Sequence, residues 1–306
     1  MIANVKSDWG VSVKKRSLVL LAVCMLLSAC TGGDRGEASL EIAATTWPVY
    51  CLTTAVTEGV EGVQVTPVVT EQVSCLHDYT LTVNHMKLLE RADVLVLNGL
   101  GLEDFMSDAL GSTQARQIDC STGIETLTQA DGGVDPHIWM DPDRAARMVQ
   151  TIADGLSAAD PDHAGHYQDN AAQAAADLTA CATQGREQLA QLDCRSLITF
   201  HDGFGYFADT FGLTILRSIE EEEGSEASAR DINEVIDLIQ THQLPAIFTE
   251  VNGSQATAQA IVRETGVATA PLSMIMSGTG SGLAPYLEAM EENLNTIQTA
   301  LGEAAS

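Results

Sequence analysis

Three histidines in a chain of 306 residues stand in company that suits a metal ligand. The central one lies in Asp135-Pro136-His137-Ile138-Trp139-Met140-Asp141-Pro142, bracketed by two Asp-Pro steps. Each proline fixes its own φ and pushes the residue before it towards an extended conformation, so a ring presented there aims one nitrogen at a fixed point. Taken alone, His137 carries little, since most histidines are satisfied structurally. Its company is Cys75-Leu76-His77-Asp78-Tyr79 upstream and Phe200-His201-Asp202-Gly203-Phe204-Gly205-Tyr206 downstream. Three imidazoles in loop-like contexts suggest one shared metal site. Imidazole suits Zn²⁺ and other late divalent ions, and three His with one carboxylate make a tetrahedral set. Binding through neutral imidazole weakens as pH falls through the usual histidine range.

The elements that must position these rings alternate. Strands are expected over 40–46, 63–70, 93–97 and 117–119, with helices over 49–58, 82–91 and 102–110 between them. A helix over 142–157 and a second, long one from Pro161 to about Leu192 follow. Asp160-Pro161 supplies the N-cap and first-turn proline between them. The alternation then resumes, with strands over 195–200, 213–219, 246–249 and 267–271 and helices over 203–211, 229–241, 254–265 and 283–301. The stretch 273–282, rich in Gly and Ser, reads as a mobile loop. The fold class is therefore α/β: two lobes, each with a mainly parallel four-stranded sheet flanked by helices, joined by one long helix. The expected division is 40–141 for the N-terminal lobe, 142–192 for the connecting helices and 193–306 for the C-terminal lobe. A helical connector is stiffer than a loop, so the lobe angle is expected to change only a little.

In this frame His77, His201 and Glu250 follow the C-terminal ends of strands, and His137 sits in a loop on the same side. Open α/β sheets bind ligands in the crevice beyond those ends, which puts the metal in the cleft between the lobes. Glu250 could equally cap the helix that starts near Ser254. Asp78 and Asp202 adjoin two of the histidines and could orient their rings, or simply face water. Trp139 and Tyr206 read as core or cleft wall. His85, His163, His166 and His242 fall on polar faces of helices, where the i,i+3 pair of His163 and His166 could hold a stray ion.

A formal net charge of −27 argues against nucleic acid, whose phosphates need Lys and Arg, and against a polybasic membrane-binding surface. The run Glu220-Glu221-Glu222-Glu223 reads as a solvated loop. Residues 1–29 read as a signal peptide: Lys14-Lys15-Arg16, an apolar run over 18–27 too short to span a bilayer, then small residues at the cut. Leu27-Ser28-Ala29-Cys30 resembles a bacterial lipobox, with Cys30 the lipidated first residue of the mature chain. Residues 30–39 form a polar, Gly-bearing tether. The expected location is extracytoplasmic, lipid-anchored to the outer face of the bacterial cell membrane. Export permits disulfides, and Cys75–Cys120 is the expected bridge because both fall at one end of the first lobe. Zinc held by cysteines competes weakly, since there is no C-x-x-C.

The strand–His loops, the 135–142 segment, the His-Asp-x-Phe-x-Tyr type run at His201–Tyr206 and the long helix together resemble the zinc/manganese solute-binding lipoproteins of ABC importers, over roughly 40–306. The resemblance implies His77, His137 and His201 as metal ligands, Zn²⁺ as the cargo with Mn²⁺ as alternative, and an ABC permease with its ATPase as partners. It implies a monomeric binding protein, not an enzyme; a surface adhesin is a further alternative. A zinc hydrolase is disfavoured, since the chain has neither H-E-x-x-H nor G-x-S-x-G. Two features depart from the family. Its usual last-lobe Asp should fall near Leu272–Ser277, where this chain reads Leu-Ser-Met-Ile-Met-Ser, and the His-rich loop of some zinc members is missing. Glu250 is the candidate fourth ligand and water the alternative.

Overall fold

The first sheet is built from β1 (Leu40–Ala44), β2 (Val63–Pro67), β3 (Val94–Leu97) and β4 (Arg116–Asp119), in the order β2-β1-β3-β4. The second repeats that plan with β5 (Ser196–His201), β6 (Thr214–Glu220), β7 (Ala246–Glu250) and β8 (Ala268–Leu272), in the order β6-β5-β7-β8. Every pairing in both sheets is parallel. Parallel strands are covered on both faces, which is why β3 (Val-Leu-Val-Leu) and β7 are buried at every residue. This is a computed structural model, and it describes residues 40–71, 76, 79–129, 132–220, 227–250 and 255–302. His77, Asp78, Cys75, Cys30, the leader, the tether and residues 221–226 lie outside the described residues.

The helices are α1 (Trp47–Val56), α2 (Val83–Arg91), α3 (Ser107–Ser112), α4 (Pro142–Ala159), α5 (Ala164–Leu189), α6 (Gly205–Phe211), α7 (Ala229–His242), α8 (Gln255–Thr265) and α9 (Ala284–Gly302). Three of them, α2, α4 and α7, start on a side-chain cap. Asp141 caps α4 by accepting from Asp143 N at 2.7 Å, with Pro142 in the first turn. Ser228 and Asp231 close a capping box on α7.

Four expectations need correction. The helix expected over 102–110 begins only at Ser107, after a run of positive φ at Gly99, Leu100 and Gly101 and a 3-10 turn at Asp104–Met106. The long connector is shorter than expected: Pro161–His163 is 3-10, and α5 ends at Leu189. There the Asp160 carboxylate is taken by His163 Nδ1 (2.7 Å) and Tyr167 Oη (2.8 Å), leaving no side-chain cap. His85 is not on a polar face but buried, with its Nδ1 accepting from Thr82 N at 3.2 Å in a capping box at the start of α2. The stretch expected to be a mobile loop has three buried residues near its start, Met274, Ile275 and Met276, tied down by bonds from Trp139 and Asn293.

One apolar core runs through both lobes, joining Val94 and Val96 under the first sheet to Leu197 and Phe248 in the second. Trp139 is fully buried within it. Its Nε1 donates to Met274 O (2.8 Å), and Tyr286 Oη donates to Trp139 O (2.6 Å). Both contacts tie the 135–142 segment to the second lobe. Two lobes that share a packed interior resist wide hinging.

Candidate metal centre

His201 is the last residue of β5 and Glu250 the last of β7. These strands are neighbours, yet the chain leaves them towards opposite edges of the sheet, β6 on one side and β8 on the other. The order reverses between them, and the crevice past such a switch point is where open α/β sheets take ligands. His137 reaches the same spot from the other lobe, just ahead of a 3-10 turn at Ile138–Met140.

His201 Nε2 and His137 Nε2 face each other at 3.4 Å, with the ring planes at 89°. That is long for a hydrogen bond between ring nitrogens. Two imidazoles on one tetrahedral Zn²⁺, at ~2.05 Å each, would stand about 3.3–3.4 Å apart. The pair thus has the spacing of two ligands on one ion. Both rings are buried, at 8% and 5% exposure.

Each ring's other nitrogen faces a buried carboxylate. Asp135 Oδ1 lies 2.8 Å from His137 Nδ1 and also accepts from His137 N at 2.9 Å, so one oxygen holds both the ring and its backbone. Glu250 Oε1 lies 3.7 Å from His201 Nδ1. A carboxylate on Nδ1 favours the tautomer that leaves the Nε2 lone pair free. Among the described residues no set of three or more His, Cys, Asp and Glu is spaced to hold an ion by itself.

The Asp135 backbone is fixed in turn. Tyr206 Oη donates to Asp135 O (2.8 Å) and accepts from Leu127 N (3.0 Å), while Arg144 lies over the Tyr206 ring at 4.7 Å. Burial pushes the Tyr206 phenol above its ordinary value, so it stays a donor. Asn98 Nδ2 donates to Pro136 O at 2.9 Å. Behind Asn98, the buried Glu103 accepts from Thr45 Oγ1 (2.7 Å), Asn98 N (2.7 Å) and Gly99 N (3.0 Å). Burial raises the Glu103 carboxyl above its usual range against the pull of those three donors.

Two glycines make room for this packing. A Cβ on Gly203 would stand 2.7 Å from His201 Cδ2 and 3.2 Å from His137 Cδ2, and one on Gly205 would stand 2.7 Å from Asp135 Oδ2. A cavity of about 200 Å³ opens beside the pair, with His137, Trp139, Leu76, Leu100 and Met276 on its walls and the exposed Asp104 at its rim.

Of the residues expected at the site, His137, His201 and Glu250 come together. Asp202 does not orient His201: its carboxylate accepts from Ser218 Oγ (3.1 Å) and its carbonyl from Gln129 Nε2. Sequence reading missed Asp135 in that role, although Asp-Pro-His, with an acceptor two residues before a ring, was a signal for it. The expected Cys75–Cys120 bridge is also corrected. Cys120 is a free thiol, fully buried against the core at the end of β4. Burial raises the thiols of Cys51 (to about 12), Cys181 (to about 11) and Cys120, so all three stay protonated and are poor zinc ligands. His163 is committed to Asp160, while His166 and His242 are exposed.

The family model of the zinc-uptake complex component A, periplasmic, matches residues 42–300. The chain belongs to that family. Its members are solute-binding proteins of transporters, not enzymes. The zinc-binding lipoprotein AdcA of Streptococcus pneumoniae serotype 4 is 27% identical over 94% of this chain, which spans only 61% of that relative's length. The manganese-binding lipoprotein MntA of Bacillus subtilis is 28% identical, covering 94% of this chain and 99% of its own. The solved structure of the solute-binding protein FpvC of Pseudomonas aeruginosa with Ni²⁺ superposes with a TM-score of 0.77. It is 28% identical and covers 88% of this chain and 98% of its own. The chain has the two lobes of this fold, each on one four-stranded parallel sheet.

Proposed function

We propose that this chain captures Zn²⁺ outside the cytoplasmic membrane and delivers it to the permease of an ABC importer driven by a partner ATPase. The observation that carries the reading is the facing Nε2 pair of His137 and His201 at 3.4 Å, each ring backed by a buried carboxylate. The family resemblance adds His77, which follows β2 in the sequence, as the third ligand. Glu250 was the first candidate for the fourth position. Its approach to His201 at Nδ1, the nitrogen turned away from His137, supports a role in orienting that ring, with water as the fourth ligand. Family membership supports the transport reading, and the relatives that bind Zn²⁺ and Mn²⁺ keep manganese as the alternative cargo. Manganese prefers oxygen ligands, which a three-imidazole set does not offer. Lipid on Cys30 would hold a monomer at the outer membrane face, near its permease.

The test is metal content and competitive calorimetry on the purified chain in detergent, with His201→Ala and His77→Ala beside it. One zinc per chain, outcompeting manganese and weakened at least 100-fold in either variant, is expected for loss of a direct ligand. Zinc binding indifferent to both substitutions would return the histidines to a structural role.

A further inference from the structure

One guanidinium group grips the chain on both sides of the histidine pair. Arg144 stands in the first turn of α4, and its side chain is only 15% exposed. Its Nη1 donates to Asp141 Oδ2 and, at 3.2 Å, to Asp209 Oδ2. Asp141 belongs to the segment that carries His137, and its other oxygen caps α4. Asp209 belongs to α6, the helix that follows His201. The same guanidinium covers the Tyr206 ring, and its Nε donates to Glu125 O at 3.1 Å, close in sequence to the Leu127 N–H that Tyr206 Oη receives.

None of these contacts is to a histidine ring, so what Arg144 fixes is distance. A planar guanidinium serves two carboxylates, a carbonyl and a ring face at once in one geometry, which an ammonium cannot do. Without it, two acids that now share one nitrogen would repel each other. A chain with 15 Lys and Arg against 42 Asp and Glu has few cations to take its place. The start of α6 also packs tightly on the His137 segment, since a Cβ on Gly205 would stand 2.7 Å from Asp135 Oδ2. Movement of α6 therefore reaches Asp135 and, through it, the His137 ring.

We propose that Arg144 is a positioning residue of the metal centre. By holding the His137 segment against α6 it sets the 3.4 Å separation of the two Nε2 atoms, and with it the size of ion that the pair accepts. The proposal rests on the zinc-capture reading above and names what sets the spacing of that site.

The experiment is competition of Zn²⁺ against the larger Cd²⁺ on the full chain in detergent, comparing the parent with Arg144→Gln, Arg144→Lys and Asp209→Asn, with folding followed by circular dichroism. The readout is the ratio of the two affinities in each sample, because a loss of folded chain lowers both alike and cancels. Arg144→Gln is expected to bind zinc about tenfold more weakly and to lower the zinc preference by about threefold or more, since a loosened pair gives way to the larger ion. Arg144→Lys keeps the charge but not the fork, and should lie between it and the parent. Asp209 is 54% exposed, so its substitution stays informative if Arg144→Gln fails to fold, and it should lower the preference by about twofold. The proposal is overturned if the folded variants keep the parent's ratio, for Arg144 would then act on stability alone. Failure of the underlying reading looks different: the parent itself would take up neither ion.

Discussion

Asp135 is where the proposed chemistry can be separated from mere folding. Its Oδ1 accepts from both the backbone and the ring of His137, at 2.9 and 2.8 Å, in a site 4% exposed. In Asp135→Asn the amide oxygen can keep both contacts, but the charge that steadies a metal-bound imidazole is gone. In Asp135→Ala the acceptor itself is gone, and the ring is free to turn. Partners one shell removed from a metal contribute about 10–100-fold in affinity, or roughly 1.4–2.7 kcal/mol. Asn is expected near the lower end of that range and Ala near the upper. Ala should also lower fold stability by about 1–3 kcal/mol, because it leaves the buried His137 N–H without its partner. The assay is competition for zinc against a chromophoric chelator at pH 7, with urea melts of the same samples. The reasoning is refuted if both variants hold zinc within about twofold of the parent while His137→Ala loses it, for then the carboxylate does not act through the ring.

Gly203→Ala places a methyl 2.7 Å from His201 Cδ2 in a walled pocket, and the ring has to move. A cost of about 1–3 kcal/mol in stability, with weaker zinc binding, is expected from melts and titration. Glu103→Ala strands three donors, from Thr45, Asn98 and Gly99, behind the 135–142 segment. Urea unfolding should show a loss of about 2–4 kcal/mol, and a variant as stable as the parent would contradict the buried network. At the α4–α5 corner, partial burial acts to raise the Asp160 carboxyl, but bonds from His163 and Tyr167 win and hold it below its ordinary value. A depressed carboxylate stabilises the fold above the unfolded pKa, about 3.9 for Asp, and that contribution fades as pH falls through the lower folded value. The melting advantage of the parent over Asp160→Asn should therefore be present at pH 6 and shrink below about pH 4.

The alternation of strands and helices was legible because it is local: β-branched runs, an Asp-Pro start at α4, a Ser cap at α7, a glycine at several ends. The eight strands fall where sequence periodicity predicts them. Elements shaped by contacts from far along the chain departed from it. His85 was given to a solvated face, but Thr82 recruits it as a cap. The Gly/Ser-rich stretch after β8 was given to a mobile loop, but Asn293, twenty residues on, and Trp139, more than a hundred residues back, fasten its first turn.

The site divides in the same way. Residue types and strand-end positions alone picked out His137, His201 and Glu250, because a ligand at the end of a parallel strand is a consequence of topology that periodicity reveals. The spacing that makes two histidines a candidate pair belongs to the tertiary structure: 64 residues separate them in sequence, and only the packing of two lobes on one core sets their Nε2 atoms 3.4 Å apart. Which carboxylate serves which ring was likewise decided in three dimensions. Asp202 adjoins His201 in sequence, yet it lies in the turn just past β5, where its carboxylate accepts from Ser218 Oγ. Glu250 comes to His201 from the neighbouring strand.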